Sequence, residues 1–230
     1  MQYKNVTPAI FIDRPNRFIA NVNINGATET VHVKNTGRCK ELLLPDAKVF
    51  LTKTESKGRK TRYDLIAVRK ENGLLINIDS QAPNKVVSEW LDTQRFSRVV
   101  PEYAYGNSRI DFYMERSGGN MTDRYLMEVK GCTLERSGIG YFPDAPTQRG
   151  TKHLYELMKA VDEGYHAYAA FVIQMDNITE VRPNTDTDPD FSAAFEEAER
   201  KGVRFLFLPC HVEPDSLNII SNKTINEVFV

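Results

Sequence analysis

Asp111, Glu128 and Lys130 are the residues whose types and spacing could do chemistry in this chain. Asp111 lies in Ser108-Arg109-Ile110-Asp111-Phe112, and the other two lie in Tyr125-Leu126-Met127-Glu128-Val129-Lys130. Both segments read as strands, in which successive side chains point to opposite faces. Glu128 and Lys130 then share one face, and Met127 and Val129 share the other. A hairpin turning about Gly119-Asn120 sets Asp111 opposite Glu128. Two carboxylates on adjacent strands can hold a hard divalent cation such as Mg²⁺, which prefers oxygen ligands and keeps several waters. A nearby lysine can position or polarise an attacking water and stabilise charge on a phosphate. Taken alone, the same pattern also fits a surface hairpin carrying a solvated ion pair, a common and individually weak interaction.

The elements that must position these residues are legible along the chain. Residues 1–80 read as all-β. Phe18–Ile24 alternates, Asn25-Gly26 is a hairpin signal, and Thr30–Lys34 returns. Residues 49–52, 63–68 and 74–78 are further strands, and Arg38–Leu44 is expected as a short helix before Pro45. Five short strands suit a small barrel of the OB type, which often binds oligonucleotides. The basic loop Lys53–Arg62, with Arg59 and Lys60, is either a phosphate contact or a solvated hairpin tip.

Ser80-Gln81-Ala82-Pro83 marks the boundary, giving domains 1–82 and 83–230. Asn84 is expected to cap a helix over 85–96 whose inner face is Val86, Val87, Trp90 and Leu91. Glu89 lies beside that face and could reach the edge of a site. A strand at 99–105, carrying Glu102, precedes the organising hairpin. Pro143 and Pro146 set a fixed loop, and a helix opens at Thr147 or Thr151 and ends at Gly164. Arg149, Lys152 and His153 sit near its start, where a helix N-terminus already favours anions. They form either a phosphate cradle or an ordinary capped turn. Residues 165–175 read as a strand buried on both faces. Asp190 is expected to cap a helix ended by Gly202, and 203–208 is a last core strand. Glu-Arg-Ser-Gly at 115–118 and 135–138 has unmatched flanks, so it reads as two similar turns rather than a repeat.

Totals bound the class. The chain of 230 residues is 41% hydrophobic and 27% charged, as in a soluble globular protein. No apolar run approaches the ~20 residues of a membrane span. No signal-peptide core is present, and Cys39, Cys132 and Cys210 form no zinc-like pair. A reducing, cytoplasmic setting is expected. The net charge of −1 argues against strong nonspecific nucleic-acid binding but leaves room for a local basic stripe.

The order αβββαβ, with an acid on the second strand and Glu-x-Lys on the third, resembles the PD-(D/E)xK nuclease core. Here Ile110 stands where that motif's name has proline. More specifically, the chain resembles the sugar fermentation stimulation protein A (SfsA) family. The residues that carry this are Asn35-Thr36-Gly37-Arg38, Ser108–Phe112 with Gly106, Glu128–Leu134 and Phe142–Leu157. The resemblance implies an α/β protein with an N-terminal OB-like β-barrel and a C-terminal restriction-endonuclease-like αβββαβ domain. It implies nucleic-acid binding, DNA in preference to RNA, more firmly than cleavage. Carried over by motif, Asp111 and Glu128 would hold Mg²⁺ or Mn²⁺, Lys130 would serve the attacking water, and Glu89 or Glu102 would supply a further acid. Arg109, Arg149, Lys152, His153, Arg38, Arg59 and Lys60 would contact nucleic acid. A homodimer is open, and no membrane association is implied. A non-catalytic DNA-binding regulator of sugar (maltose) metabolism is the alternative, and a sugar or nucleotide sensor has no marked pocket.

Overall fold

A computed structural model of the chain describes residues 1–35, 37–54, 58–118 and 121–220. The Gly119-Asn120 turn, Thr36, Lys57 and the tail beyond 220 lie outside the described residues.

The N-terminal strands are β1 (Val6–Asn16), β2 (Ile19–Ile24), β3 (Ala27–Val33), β4 (Lys48–Lys53), β5 (Tyr63–Arg69) and β6 (Leu75–Asn77). Their order is β3-β2-β1-β4-β5-β6, and a parallel β3–β5 pairing closes the first five into a barrel. The β2–β3 hairpin turns through Asn25 and Gly26, both at positive φ, as the Asn-Gly pair predicts. Strand β1 is not called from the sequence. Pro8 and Pro15 interrupt it, and Ile10 and Ile12 face outward while Ala9 and Phe11 fill the barrel, so its apolar alternation is scrambled. The helix expected over Arg38–Leu44 is instead one hydrogen-bonded turn, in which Leu42 and Leu43 N–H both donate to Cys39 C=O.

Then follow α1 (Ala82–Leu91), β7 (Arg98–Tyr105), β8 (Ser108–Gly118), β9 (Met121–Cys132), β10 (Leu134–Arg136), β11 (Ile139–Phe142) and α2 (Gln148–Asp162). The chain continues with β12 (His166–Ile173), β13 (Val181–Pro183), α3 (Pro189–Arg200), β14 (Arg204–Glu213) and β15 (Ser216–Ile219). The main sheet runs β15-β14-β12-β9-β8-β7, antiparallel over β7–β9 and parallel over β9, β12 and β14. Strands β10, β11 and β13 form a small separate sheet, and the second Glu-Arg-Ser-Gly ends in its turn while the first lies within β8.

Helix starts differ from expectation in two places. α1 begins at Ala82 because Pro83, which lacks an N–H, suits a first helical turn, so Asn84 is inside the helix and not its cap. α3 is capped by Asp188, whose side chain accepts from Phe191 N–H, rather than by Asp190. α2 is capped by Thr147, which accepts from Gly150 N–H. Met127 and Val129 pack with Val86, Val87 and Trp90 of α1, whereas Leu126, on Glu128's face, packs with Leu154 and Leu157 of α2. Both apolar clusters draw on the barrel as well as the main sheet: Phe50, Ile66 and Ala67 join the α1 side, and Val33 and Ile78 join the α2 side.

Candidate functional site

The hairpin registers decide the site. Phe112 pairs with Met127, so the next step places Asp111 across from Glu128. On the other side, Pro101↔Phe112 and Tyr103↔Ile110 flank Glu102 and Asp111. Three acids therefore stand in a row across β7, β8 and β9. Glu102 adopts φ +52, a left-handed conformation that a non-glycine residue rarely holds within a strand. The first turns of α1 and α2 wall this row. The result is a cleft of about 550 Å³ lined by Asn84, Lys85, Glu102, Asp111, Glu128 and Lys130, with Thr147 and Arg149 at its rim.

Inside the cleft each carboxylate is held differently. Asp111 Oδ1 accepts from Asn84 Nδ2 at 2.7 Å, and Oδ2 accepts from Val129 N–H at 2.7 Å. Burial, and then the charge of Glu128, hold the Asp111 carboxyl above its ordinary range despite these bonds. Glu128 is only 3% exposed. Its Oε1 takes Lys130 Nζ at 2.6 Å and the Nδ1 of His153. Burial works to raise this carboxyl, but the hydrogen bond from His153 and the charge of Lys130 outweigh it and hold it low. Glu128 Oε2 is buried and has no hydrogen-bond partner.

His153, 4% exposed, is the support behind Glu128 rather than a surface phosphate contact. Arg149 Nε approaches its Nε2 at 3.5 Å. Lys130 Nζ lies 3.3 Å from the same Nδ1, but the closer contact to the acceptor-only Glu128 carboxylate requires Nδ1–H as the donor.

The structure brings together Glu102, Asp111, Glu128, Lys130, Arg149 and His153. It does not bring Glu89 to them: that carboxylate takes the amino group of Met1 at 2.7 Å. Lys152 turns to Glu156 at 3.5 Å along the helix surface. Arg109 is exposed on the Asp111 face of β8 and is not part of the cleft lining. Arg59 is consumed by Asp64, with which it pairs at 2.6 Å, and Lys60 is exposed beside it. Arg38 lies in a separate basic depression on the barrel. Asn84 and Lys85 are site residues the sequence does not single out, although Pro83 as a helix opener was the available signal. All three cysteines are buried, and burial pushes Cys132 up to about 12, so it offers no thiolate.

An unpartnered buried carboxylate oxygen beside a second carboxylate fits an oxygen-preferring divalent cation, which takes one or two protein carboxylates and completes its shell with water. Among the described residues no set of three His, Cys, Asp or Glu side chains stands at ligating spacing, so Glu102 does not complete a three-residue cage.

A closed five-strand barrel joined to an α/β sheet, with paired acids and a lysine on two adjacent interior strands, defines a two-part OB and restriction-endonuclease-like protein. Residues 81–216 match the sugar fermentation stimulation protein RE domain, and residues 12–78 match the SfsA N-terminal OB domain. The chain belongs to the sugar fermentation stimulation protein (SfsA) family. It is 50% identical over 220 residues to a sugar fermentation stimulation protein homolog of Desulfitobacterium hafniense, covering 94% of each chain. It is 49% identical over 223 residues to the homolog of Ruminiclostridium cellulolyticum, covering 95% of this chain and 96% of the other. Among solved structures it resembles Pyrococcus furiosus SfsA in complex with Ca²⁺, at 29% identity and TM-score 0.82 over 94% of each chain. Among the described residues no helix is long and apolar enough to cross a membrane.

Proposed function

We propose that this protein binds nucleic acid, DNA in preference to RNA, and hydrolyses a phosphodiester in the cleft between α1 and α2 with Mg²⁺ or Mn²⁺. The observation that carries this is the orphaned Glu128 Oε2, buried beside Asp111 with Lys130 at hand. The Pyrococcus furiosus relative is a complex with Ca²⁺, which supports divalent-cation binding by this fold.

Asp111 and Glu128 would hold the ion, which would supply charge compensation and activation of water. Lys130 is positioned by Glu128 Oε1 so that its remaining N–H groups can orient the attacking water and stabilise charge developing on the phosphate. Asn84 and Val129 N–H fix the Asp111 carboxylate, and His153 fixes that of Glu128. Arg149 and the N-terminal turn of α2 present positive charge to the phosphate. Glu102 lines the same cleft and would add negative charge beside the two carboxylates.

The test is a cleavage assay on labelled DNA and RNA with Mg²⁺ and Mn²⁺, beside Asp111→Asn and Lys130→Ala. Cutting by the unaltered protein and loss in both variants is the expected result. Cutting that survives Lys130→Ala would defeat the mechanism. Retarded mobility with no product under either metal would leave binding as the function.

A further inference from the structure

The barrel carries a second cationic feature that the cleft does not use. Arg14, on β1, sends Nη1 to the carbonyls of Gly37 (3.0 Å) and Arg38 (2.8 Å), and Nη2 to those of Arg17 (2.8 Å) and Asn35 (2.7 Å). This one guanidinium clasps the β1–β2 turn against the segment that follows β3. Around it the side chains of Arg17, Arg38 and Lys40, with Asn16, line a shallow depression with no carboxylate among its described lining residues. Beside it Phe18 is 49% exposed, with the Arg17 guanidinium 5.1 Å from its ring centroid. An exposed aromatic ring on a basic rim is poorly explained by folding, because half of Phe18 stays in solvent and, among the described residues, Arg17 and Lys40 form no ion pair with a carboxylate.

This surface leads to the cleft. Ser80, which lines the cleft, donates its hydroxyl to Lys34 C=O, and Asn35 Nδ2 donates to Ile78 C=O at 3.0 Å. A side chain on Gly37 would overlap Asp144, in the loop that enters α2. The basic depression and the paired carboxylates therefore border the same interdomain seam.

We infer that Phe18, Arg17, Arg38 and Lys40 form a subsite for an unpaired DNA strand, in which a base stacks on Phe18 and the flanking phosphates lie on the three cations. Aromatic rings on a positively charged track recognise single strands, because every base offers a π-face only when it is unstacked from a partner. The turn between the first two strands is also a contact region that OB barrels offer to oligonucleotides. The inference rests on the proposed nucleic-acid function and narrows it: the substrate has an unpaired segment, held by the barrel while the cleft addresses the backbone.

The experiment is fluorescence anisotropy of the full chain with labelled oligothymidylate, oligouridylate and a blunt duplex, without divalent metal. Phe18→Ala should weaken oligothymidylate binding by about tenfold and leave duplex binding unchanged. Phe18→Trp should keep the affinity, and its emission should be quenched by oligothymidylate, against a background of the single native tryptophan, Trp90, which is buried. Lys40→Ala should lower the slope of log affinity against log salt by about 0.7. Strand binding unaffected by Phe18→Ala, or equal losses for strand and duplex, would overturn the subsite, and tighter binding of oligouridylate would overturn the choice of DNA. An unaltered protein that binds none of the three would overturn the nucleic-acid function itself.

Discussion

Asp111 and Glu128 face each other across adjacent antiparallel strands, yet their surroundings push their proton affinities in opposite directions. Asp111 has neutral donors and a like charge beside it, and burial wins. Glu128 is backed by His153 and Lys130, and the partners win over burial. A cation placed between them would compensate the strained member of the pair.

That asymmetry predicts how stability varies with pH. Asp111 binds its proton more tightly in the folded chain, so the metal-free protein loses stability as pH climbs from the ordinary 3.8 through the raised value, and loses none below. The contribution of Glu128 is gained on rising from its lowered value to the ordinary 4.5 and is constant above that. Mn²⁺ should therefore raise the melting temperature more at neutral pH than near pH 3.8, where Asp111 still holds its proton in the folded chain. Asp111→Asn removes one of the two carboxylates and should abolish the metal response. Equal Mn²⁺ stabilisation of both proteins in thermal melts would contradict this.

His153→Ala leaves Glu128 with only Lys130 in a site that is almost wholly buried. Loss of about 2–4 kcal/mol is expected from urea unfolding, because a buried charge loses its hydrogen bond. His153→Gln, which keeps a donor, should recover most of it. An alanine variant as stable as the parent would remove His153 from the site.

Gly131 follows Lys130 where β9 passes under α1. A Cβ there would overlap Gln174 Oε1 and lie 2.9 Å from Pro83 Cγ. Gly131→Ala should cost about 1–3 kcal/mol through overpacking. It should also reduce activity out of proportion to stability, because displacing Pro83 moves Asn84 off Asp111. Calorimetry beside the cleavage assay separates the two effects.

Arg59 and Lys85 should respond in opposite ways. Arg59 neutralises Asp64, which is 3% exposed and also paired with Lys34 at 3.0 Å. Arg59→Ala should destabilise the barrel by about 1–2 kcal/mol and leave nucleic-acid affinity unchanged. Lys85 is exposed at the cleft, so Lys85→Ala should stay within about 0.5 kcal/mol in stability and lower the salt slope of binding by about 1. Denaturant titration and binding isotherms at several salt concentrations check both.

Local rules carried the sequence a long way. The period of two in 108–112 and 125–130, with a centre of symmetry at 119–120, was sufficient to set Asp111 against Glu128. The Asn25-Gly26 hairpin and the inner face of α1 follow from turn chemistry and helical spacing within a few residues, and capping chemistry narrowed the start of α2 to Thr147 or Thr151. Strand β1 escaped because its outward isoleucines carry no local sign of which face is covered.

Partners distant in the chain were settled only by the tertiary structure. Nothing near Arg59 states that Asp64 will bury its charge, nor near Glu89 that Met1 will take its carboxylate. His153 becomes a buried clamp because α2 lies over Glu128's face of β9, a packing choice made by Leu154 and Leu157. The sequence by itself determined which groups could do the chemistry and which two acids share a hairpin, because strand alternation and turn geometry act over neighbouring residues. The tertiary structure decided which cations remain free for phosphate and which carboxylate oxygen stays unsatisfied, because desolvation and charge pairing act between groups that only the fold brings together.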